Sequence, residues 1–272
     1  MTIPKLVASD LDGTFMDAQG EYNHAYFDQV LTELNAKGTH FVVSTGRALV
    51  NVERVFAPFL GRIDIVSNNG GIIKLADGTI LDIHPVSKEA MKAALALIDN
   101  HGFKLHRAVS FAGLKHQYML NRHEDINPEQ LEFMSENFSL RLVETIDEIK
   151  EPIAKMTFGF SETDGEAYIE LARREIGDLG HVTTSGYGSV DVVALDVNKA
   201  AGLKRLADAY AFERGDLAAF GDGLNDIEML HYAKHPYAMP NGDQELLNLF
   251  PQALADNNHA GVLKTIESIL KN

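Results

Sequence analysis

Asp10 and Asp12 stand two residues apart at the end of a short apolar run, Leu6-Val7-Ala8. If a strand ends between them, both carboxylates leave toward the same rim. Close carboxylates resist ionising unless something compensates them. Asp222 and Asp226, in Gly221-Asp222-Gly223-Leu224-Asn225-Asp226, follow the apolar run Leu217 to Phe220 and add more negative charge. Several carboxylates around one point call for a hard divalent ion with oxygen ligands, and magnesium is the common choice. The competing reading is that such acids cap helices and face water. It suits any one of them better than all four together.

Carboxylates alone do not indicate phosphate. Ser44-Thr45-Gly46 supplies a hydroxyl and flexible backbone at a helix start, where free amide groups favour an anion, and Gly13-Thr14 repeats that arrangement. Lys199 opens another helix with a mobile ammonium able to reach a phosphate oxygen. Each feature is weak by itself; together they describe an anion site beside a cation site.

The elements that must carry these residues follow from the hydrophobic pattern. Strand, polar turn and helix recur through the first 70 residues, with strands at Leu6–Ala8, Phe41–Val43 and Ile63–Val66. That alternation predicts a parallel sheet in an α/β fold. A hairpin with an Asp77-Gly78 turn follows. From Pro85 the texture becomes α+β, with strands expected near Phe103, Tyr118–Leu120, Leu140–Leu142 and Met156–Phe160 and helices near 91–98, 129–137 and 166–176. The α/β alternation is expected to return with a strand at Val190–Leu195. The predicted organisation is a core domain of residues 1–83 and 188–272 with an inserted domain at 84–187. Each polar cluster would then lie at the carboxyl end of a parallel strand, where open α/β sheets bind ligands.

Composition limits the partners. The chain has 24 Lys plus Arg against 39 Asp plus Glu, a net charge of −15, which disfavours nucleic acid and anionic membranes. A phosphate site in such a chain must reverse the sign locally, which a divalent cation does. There is no cysteine, so thiolate chemistry is excluded. Met1 to Ser9 does not read as a signal peptide, and no apolar run is long enough to span a membrane. A cytoplasmic location is expected. Eleven histidines raise the question of zinc, but His231 and His235 have Pro236 directly after them and no third ligand nearby. Ser185-Gly186-Tyr187-Gly188 lacks the strand–glycine–helix setting of a phosphate loop and reads better as a hinge. Arg107, His116, Tyr118 and Tyr187 are weighed as substrate contacts in the insertion and set aside as structural.

Asp10-Leu11-Asp12-Gly13-Thr14 resembles the Asp-x-Asp-Gly-Thr signature of the haloacid-dehalogenase-like hydrolases. Ser44-Thr45-Gly46-Arg47, the stretch from Asn198 to Leu203, and Gly221 to Asp226 are similar to its three other motifs, in order. The insertion, Asn68-Asn69-Gly70-Gly71 and the segment from Asp256 to Val262 resemble the Cof-type branch, which includes many sugar phosphatases. The resemblance implies a Rossmann-like core with an α+β cap that closes over a small substrate. It implies Asp10 as nucleophile, forming an aspartyl-phosphate, and Asp12 as general acid and base. Magnesium would be held by a carboxylate oxygen of Asp10, the backbone carbonyl of Asp12 and the side chain of Asp222. Asp226 would hold a metal-bound water or orient Lys199. Thr45, the amides of Leu11 and Gly46, Lys199 and Asn225 would hold the phosphoryl oxygens. The expected activity is magnesium-dependent hydrolysis of small phosphorylated metabolites, sugar phosphates first. The alternatives are a phosphomutase and a non-catalytic phosphosugar-binding regulator.

Overall fold

A computed structural model describes residues 3–121, 128–137, 139–186 and 188–271. The chain divides into two compact units, one of residues 1–47, 52–82 and 198–272, the other of residues 48–51 and 83–197.

The first unit begins with β1 (Leu6–Ser9), α1 (His24–Ala36), β2 (His40–Ser44), α2 (Leu49–Val55), β3 (Asp64–Ser67), β4 (Ile72–Lys74) and β5 (Ile80–Ile83), of which Leu49–Asn51 and Ile83 group with the second. Asn23 caps α1 by accepting the Tyr26 amide at 3.0 Å, which satisfies a donor that a helix start leaves over. Phe27, Val30, Leu31 and Leu34 are buried along one side of α1, the stripe that helical spacing sets. Between β4 and β5 the Gly78 amide donates to the Leu75 carbonyl at 2.9 Å, closing the hairpin turn expected from Asp77-Gly78.

The second unit follows: α3 (Lys88–His101), β6 (Arg107–Gly113), β7 (Gln117–Leu120), α4 (Pro128–Asn137), β8 (Leu140–Val143), β9 (Ile153–Gly159), α5 (Glu162–Ile176), β10 (His181–Gly186) and β11 (Ser189–Val193). Its six-stranded sheet has the order β10-β11-β9-β6-β7-β8. Met91, Leu97 and Ile98 of α3 and Tyr168 and Ala172 of α5 share one apolar core with Phe111, Met156, Phe158 and Val192 of the sheet. The Tyr168 hydroxyl donates to the Ala94 carbonyl at 2.8 Å, tying the two helices together. Lys155, Thr157 and Asp191 share the opposite face, where Asp191 accepts from Lys155 at 3.1 Å and from Thr157 at 2.7 Å.

Three expectations change here. The strand expected near Phe103 begins only at Arg107; the Phe103 ring instead packs edge-on to Tyr168 at 5.4 Å. The strand at 190 does not return to the first sheet. β11 pairs antiparallel with β9 and β10, so the first unit resumes at Asn198 rather than at 188. The hinge expected at 185–188 falls where β10 and β11 pair antiparallel, Gly186 opposite Ser189; Tyr187 lies outside the described residues.

The first unit then resumes with α6 (Lys199–Ala209), β12 (Leu217–Gly221), α7 (Ile227–Tyr232), β13 (His235–Ala238), α8 (Gln244–Leu249) and α9 (Gly261–Lys271). His231 ends up in α7 and His235 in β13, not on one helix face. The complete sheet has the order β13-β12-β1-β2-β3-β4-β5. β13 through β3 run parallel, and β4 turns antiparallel to β3. β1, β3 and β12 are buried along their whole length, as parallel strands covered on both faces must be. Leu203 and Leu206 of α6 pack with Leu6, Ala8, Leu217 and Ala219. Phe27, Phe41 and Phe56 surround Phe15 at ring distances of 5.0, 5.5 and 5.7 Å. Strand order reverses at β1, which has β2 on one side and β12 on the other. That switch point is where an open α/β sheet has its crevice. Among the described residues no helix is long and apolar enough to cross a membrane.

Candidate active site

Asp10 leaves the carboxyl end of β1, Thr45 and Gly46 leave β2, and Asp222 to Asp226 leave β12. Because β2, β1 and β12 are adjacent and parallel, these ends share one rim, as the strand pattern predicts. The Asp10 amide still donates to the Phe220 carbonyl at 3.0 Å, so the first carboxylate is held against the neighbouring strand. Lys199, first residue of α6, is oriented by a helix start that Asn198 caps through the Ala201 amide at 2.8 Å.

The Lys199 ammonium lies 2.7 Å from Asp10 Oδ1 and 2.6 Å from Asp226 Oδ1. Carboxylate oxygens of Asp10, Asp222 and Asp226 lie within 4.8 Å of one another. The other oxygen of Asp226 accepts the amides of Asp222 and Gly223, both at 3.1 Å. Both oxygens of Asp226 are thereby engaged, one with the Lys199 ammonium and the other with the loop after β12. Asp222 is steadied by the Thr14 hydroxyl at 2.6 Å.

One ammonium among three carboxylates leaves surplus negative charge in a dry place. Burial, opposed by Lys199 and reinforced by Asp226 and Asp222, pushes the Asp10 carboxyl up to about 8. Burial likewise, with Asp226 adding to it and the Thr14 hydrogen bond opposing it, pushes Asp222 up to about 6. Burial works against the Lys199 charge, but Asp10 and Asp226 outweigh it and hold its pKa above the ordinary lysine value. The donor set is all hard oxygen and short of positive charge, which fits a hard divalent cation. Backbone geometry fits as well. A Cβ on Gly13 would lie 2.3 Å from Asp222 Oδ2, and the residue sits at φ +75°; only glycine lets the chain after Asp12 approach that carboxylate. Asp10, Asp222 and Asp226 bring together the carboxylates that could hold such an ion, with the carbonyl of Asp12 the further ligand that the resemblance implies.

The carboxylate of Asp12 stands outside this cluster. Arg47 takes both of its oxygens, Nε donating to Oδ2 at 2.8 Å and Nη2 to Oδ1. The sequence offers one signal for Arg47, its place directly after Ser44-Thr45-Gly46, and nothing local points to Asp12 as its partner. The Thr45 hydroxyl accepts the Arg47 amide at 3.1 Å, shaping the turn after β2. Asn68 and Asn69, after β3, both adopt left-handed backbone, φ 52° and 57°. Their amides donate to the carbonyls of Arg47 and Thr45, each at 3.0 Å. Such backbone persists only where its surroundings enforce it, and here it braces the Thr45–Arg47 turn. Leu11 is buried beneath the rim, and Asn225 is half-buried in the turn Leu224–Asp226.

The haloacid dehalogenase-like hydrolase family model matches residues 7–266. The chain is 27% identical over 270 residues to the 5-amino-6-(5-phospho-D-ribitylamino)uracil phosphatase YbjI of Escherichia coli, covering 98% of this chain and 97% of the relative. It is 24% identical to phosphatase YwpJ of Bacillus subtilis, covering 98% and 100%. A crystal structure from Streptococcus mutans aligns at a TM-score of 0.89 and 26% identity, covering 99% of this chain and 100% of that one. A haloacid dehalogenase-like hydrolase from B. subtilis shares the fold at a TM-score of 0.83 and 20% identity, over 97% and 99%. The chain belongs to the haloacid dehalogenase-like hydrolase family, as an enzyme of the phosphatase type.

Proposed function

We propose that the protein hydrolyses small phosphate monoesters, sugar phosphates foremost, with magnesium and through an aspartyl-phosphate on Asp10. The observation that carries this reading is the buried Asp10–Lys199–Asp226 cluster with Asp222 beside it, at the switch point of a parallel sheet. Among the matched relatives, one is named for a phosphorylated ribityl compound, an alkyl phosphate monoester.

An Asp10 carboxylate oxygen attacks phosphorus, and the bond from phosphorus to the ester oxygen breaks. Asp12 exchanges its Arg47 contacts for a proton and delivers that proton to the ester oxygen, so the alcohol leaves neutral. Water then attacks the phosphorus of the aspartyl-phosphate while Asp12 takes its proton, which frees phosphate and restores Asp10. Lys199, Thr45, Asn225 and the amides of Leu11 and Gly46 hold the phosphoryl oxygens. Bound at these carboxylates, magnesium would supply the positive charge that keeps Asp10 ionised and offsets the charge of the phosphoryl group. Choice among esters is assigned to the inserted unit.

The test is phosphate release from a panel of phosphorylated metabolites by wild type and Asp10→Asn, with and without magnesium. Wild type is expected to turn over only with the metal, and the variant to fold but lose activity by orders of magnitude, an amide being a far weaker nucleophile. Substantial turnover by Asp10→Asn would contradict the reading.

A further inference from the structure

The backbone after Asp10 and Asp12 leaves the sheet at once, and side chains from the far end of the chain take up its polar groups. Asn241 Nδ2 donates to the Gly13 carbonyl at 2.7 Å. Asn257 Nδ2 donates to the Met16 carbonyl at 2.9 Å. The Ala18 amide donates to Asn258 Oδ1 at 3.0 Å. These ties are linked, because the Asn257 amide donates to Asn241 Oδ1 at 3.1 Å. One carboxamide is thus a donor to the loop after β1 and an acceptor from the loop before α9.

The segment carrying Asn241 also grips the other end of the carboxylate cluster. The Met239 amide donates to the Gly221 carbonyl at 2.9 Å, and the Asp243 amide to the Asp222 carbonyl at 2.7 Å. A Cβ on Gly242 would lie 2.8 Å from that Asp222 oxygen, so the segment packs as close as glycine permits. Residues 239–243 therefore hold Asp222 by backbone and Gly13 by the Asn241 side chain. The Thr14–Asp222 hydrogen bond lies between those two grips.

We infer that Asn241, backed by Asn257, is a positioning residue for the cation site, setting the separation between the Asp10–Asp12 loop and Asp222. The inference rests on the functional reading above. A small hard ion demands near-ideal ligand geometry, and the Asp12 carbonyl sits on a loop with no ladder to fix it. A carboxamide suits the task because it offers donor and acceptor together without adding charge to a cluster already too negative. An aspartate there would set a carboxylate against the Gly13 carbonyl.

The experiment compares wild type, Asn241→Ala and Asn257→Ala in magnesium titrations read by calorimetry, by thermal melting and by kcat and KM. Groups that orient metal ligands are typically worth about 10- to 100-fold in metal affinity. Asn241→Ala should raise the half-saturating magnesium concentration by about that factor in both the binding and the kcat titrations. Its melting temperature in EDTA should stay near wild type, since Asn241 is exposed, and its KM at saturating magnesium should not change. Asn257 is buried, so Asn241→Ala carries the test if the second variant folds poorly. Magnesium binding like wild type in Asn241→Ala, beside a wild type that binds and turns over, overturns this inference alone. A melting temperature lowered equally with and without magnesium, at unchanged metal affinity, overturns it too. A wild type indifferent to magnesium removes the functional reading and this inference with it.

Discussion

Lys199 and Asp226 form an ion pair shut off from solvent, 2.6 Å apart with side-chain exposures of 1% and 0%. Burying two charges is costly, and only good geometry with further hydrogen bonds offsets it. Asp226 has those bonds from two amides, and Lys199 has Asp10. Removing one partner strands the other, at a cost of about 3–5 kcal/mol. Lys199→Met should therefore unfold at markedly lower urea than wild type, and Asp226→Asn should lose activity while keeping its secondary structure. A Lys199→Met protein as stable as wild type would show that the pair carries no such weight.

Metal-free protein should lose stability as the pH rises. Asp10 and Asp222 both start from 3.8, and burial beside other carboxylates pushes them to about 8 and about 6. Between pH 4 and 8 the folded state therefore binds more protons than the unfolded one, and stability falls as pH increases through that window. Melting temperatures in EDTA should decline from pH 5 to pH 8, and magnesium should restore them most at the alkaline end. Asp222→Asn should flatten the slope. A profile that is level or rises with pH would refute the charge surplus.

Gly13→Ala tests the close approach to Asp222. Its φ of +75° is unfavourable for alanine, and the new methyl would meet Asp222 Oδ2 at 2.3 Å. A loss of about 1–3 kcal/mol is expected, with weaker stabilisation by magnesium. Urea unfolding with and without the metal separates the two effects.

Glu151, in the inserted unit, supplies an acid-side prediction. Against the cost of burial, the Lys115 amide, the Tyr118 hydroxyl and His116 hold its carboxyl below the usual glutamate value of 4.5. Its contribution is present above that value and is lost as pH falls below it. Glu151→Gln should destabilise by about 1–2 kcal/mol at pH 7 and lose that difference in acid. Denaturant unfolding at pH 7 and pH 4 checks it; an equal penalty at both would mean that the charge is immaterial.

How far the site could be read in advance depended on the kind of signal. Asp10, Thr45, Asp222 and Lys199 were legible because each begins a polar cluster beside a regular strand or helix, and parallel strands put their ends on one rim. Arg47 over Asp12 and Asn241 over Gly13 were not. Such contacts join residues 35 and 228 positions apart, with no periodicity to announce them. β11 marks the same limit: valine alternating with Asp191 says that a strand forms and which face is apolar, but not which sheet it joins.

The amino-acid order alone determined the alternation of elements, the four polar clusters, their order and the sign of the charge problem they create. Those follow from side-chain type and local spacing. Only the folded chain decided that Asp226 pairs with Lys199, that Asp12 is clasped by Arg47, that the first unit resumes at Asn198, and that asparagines close the loop after Asp10. These depend on which backbone groups remain unpaired once the sheets have formed, and that is a property of the whole chain.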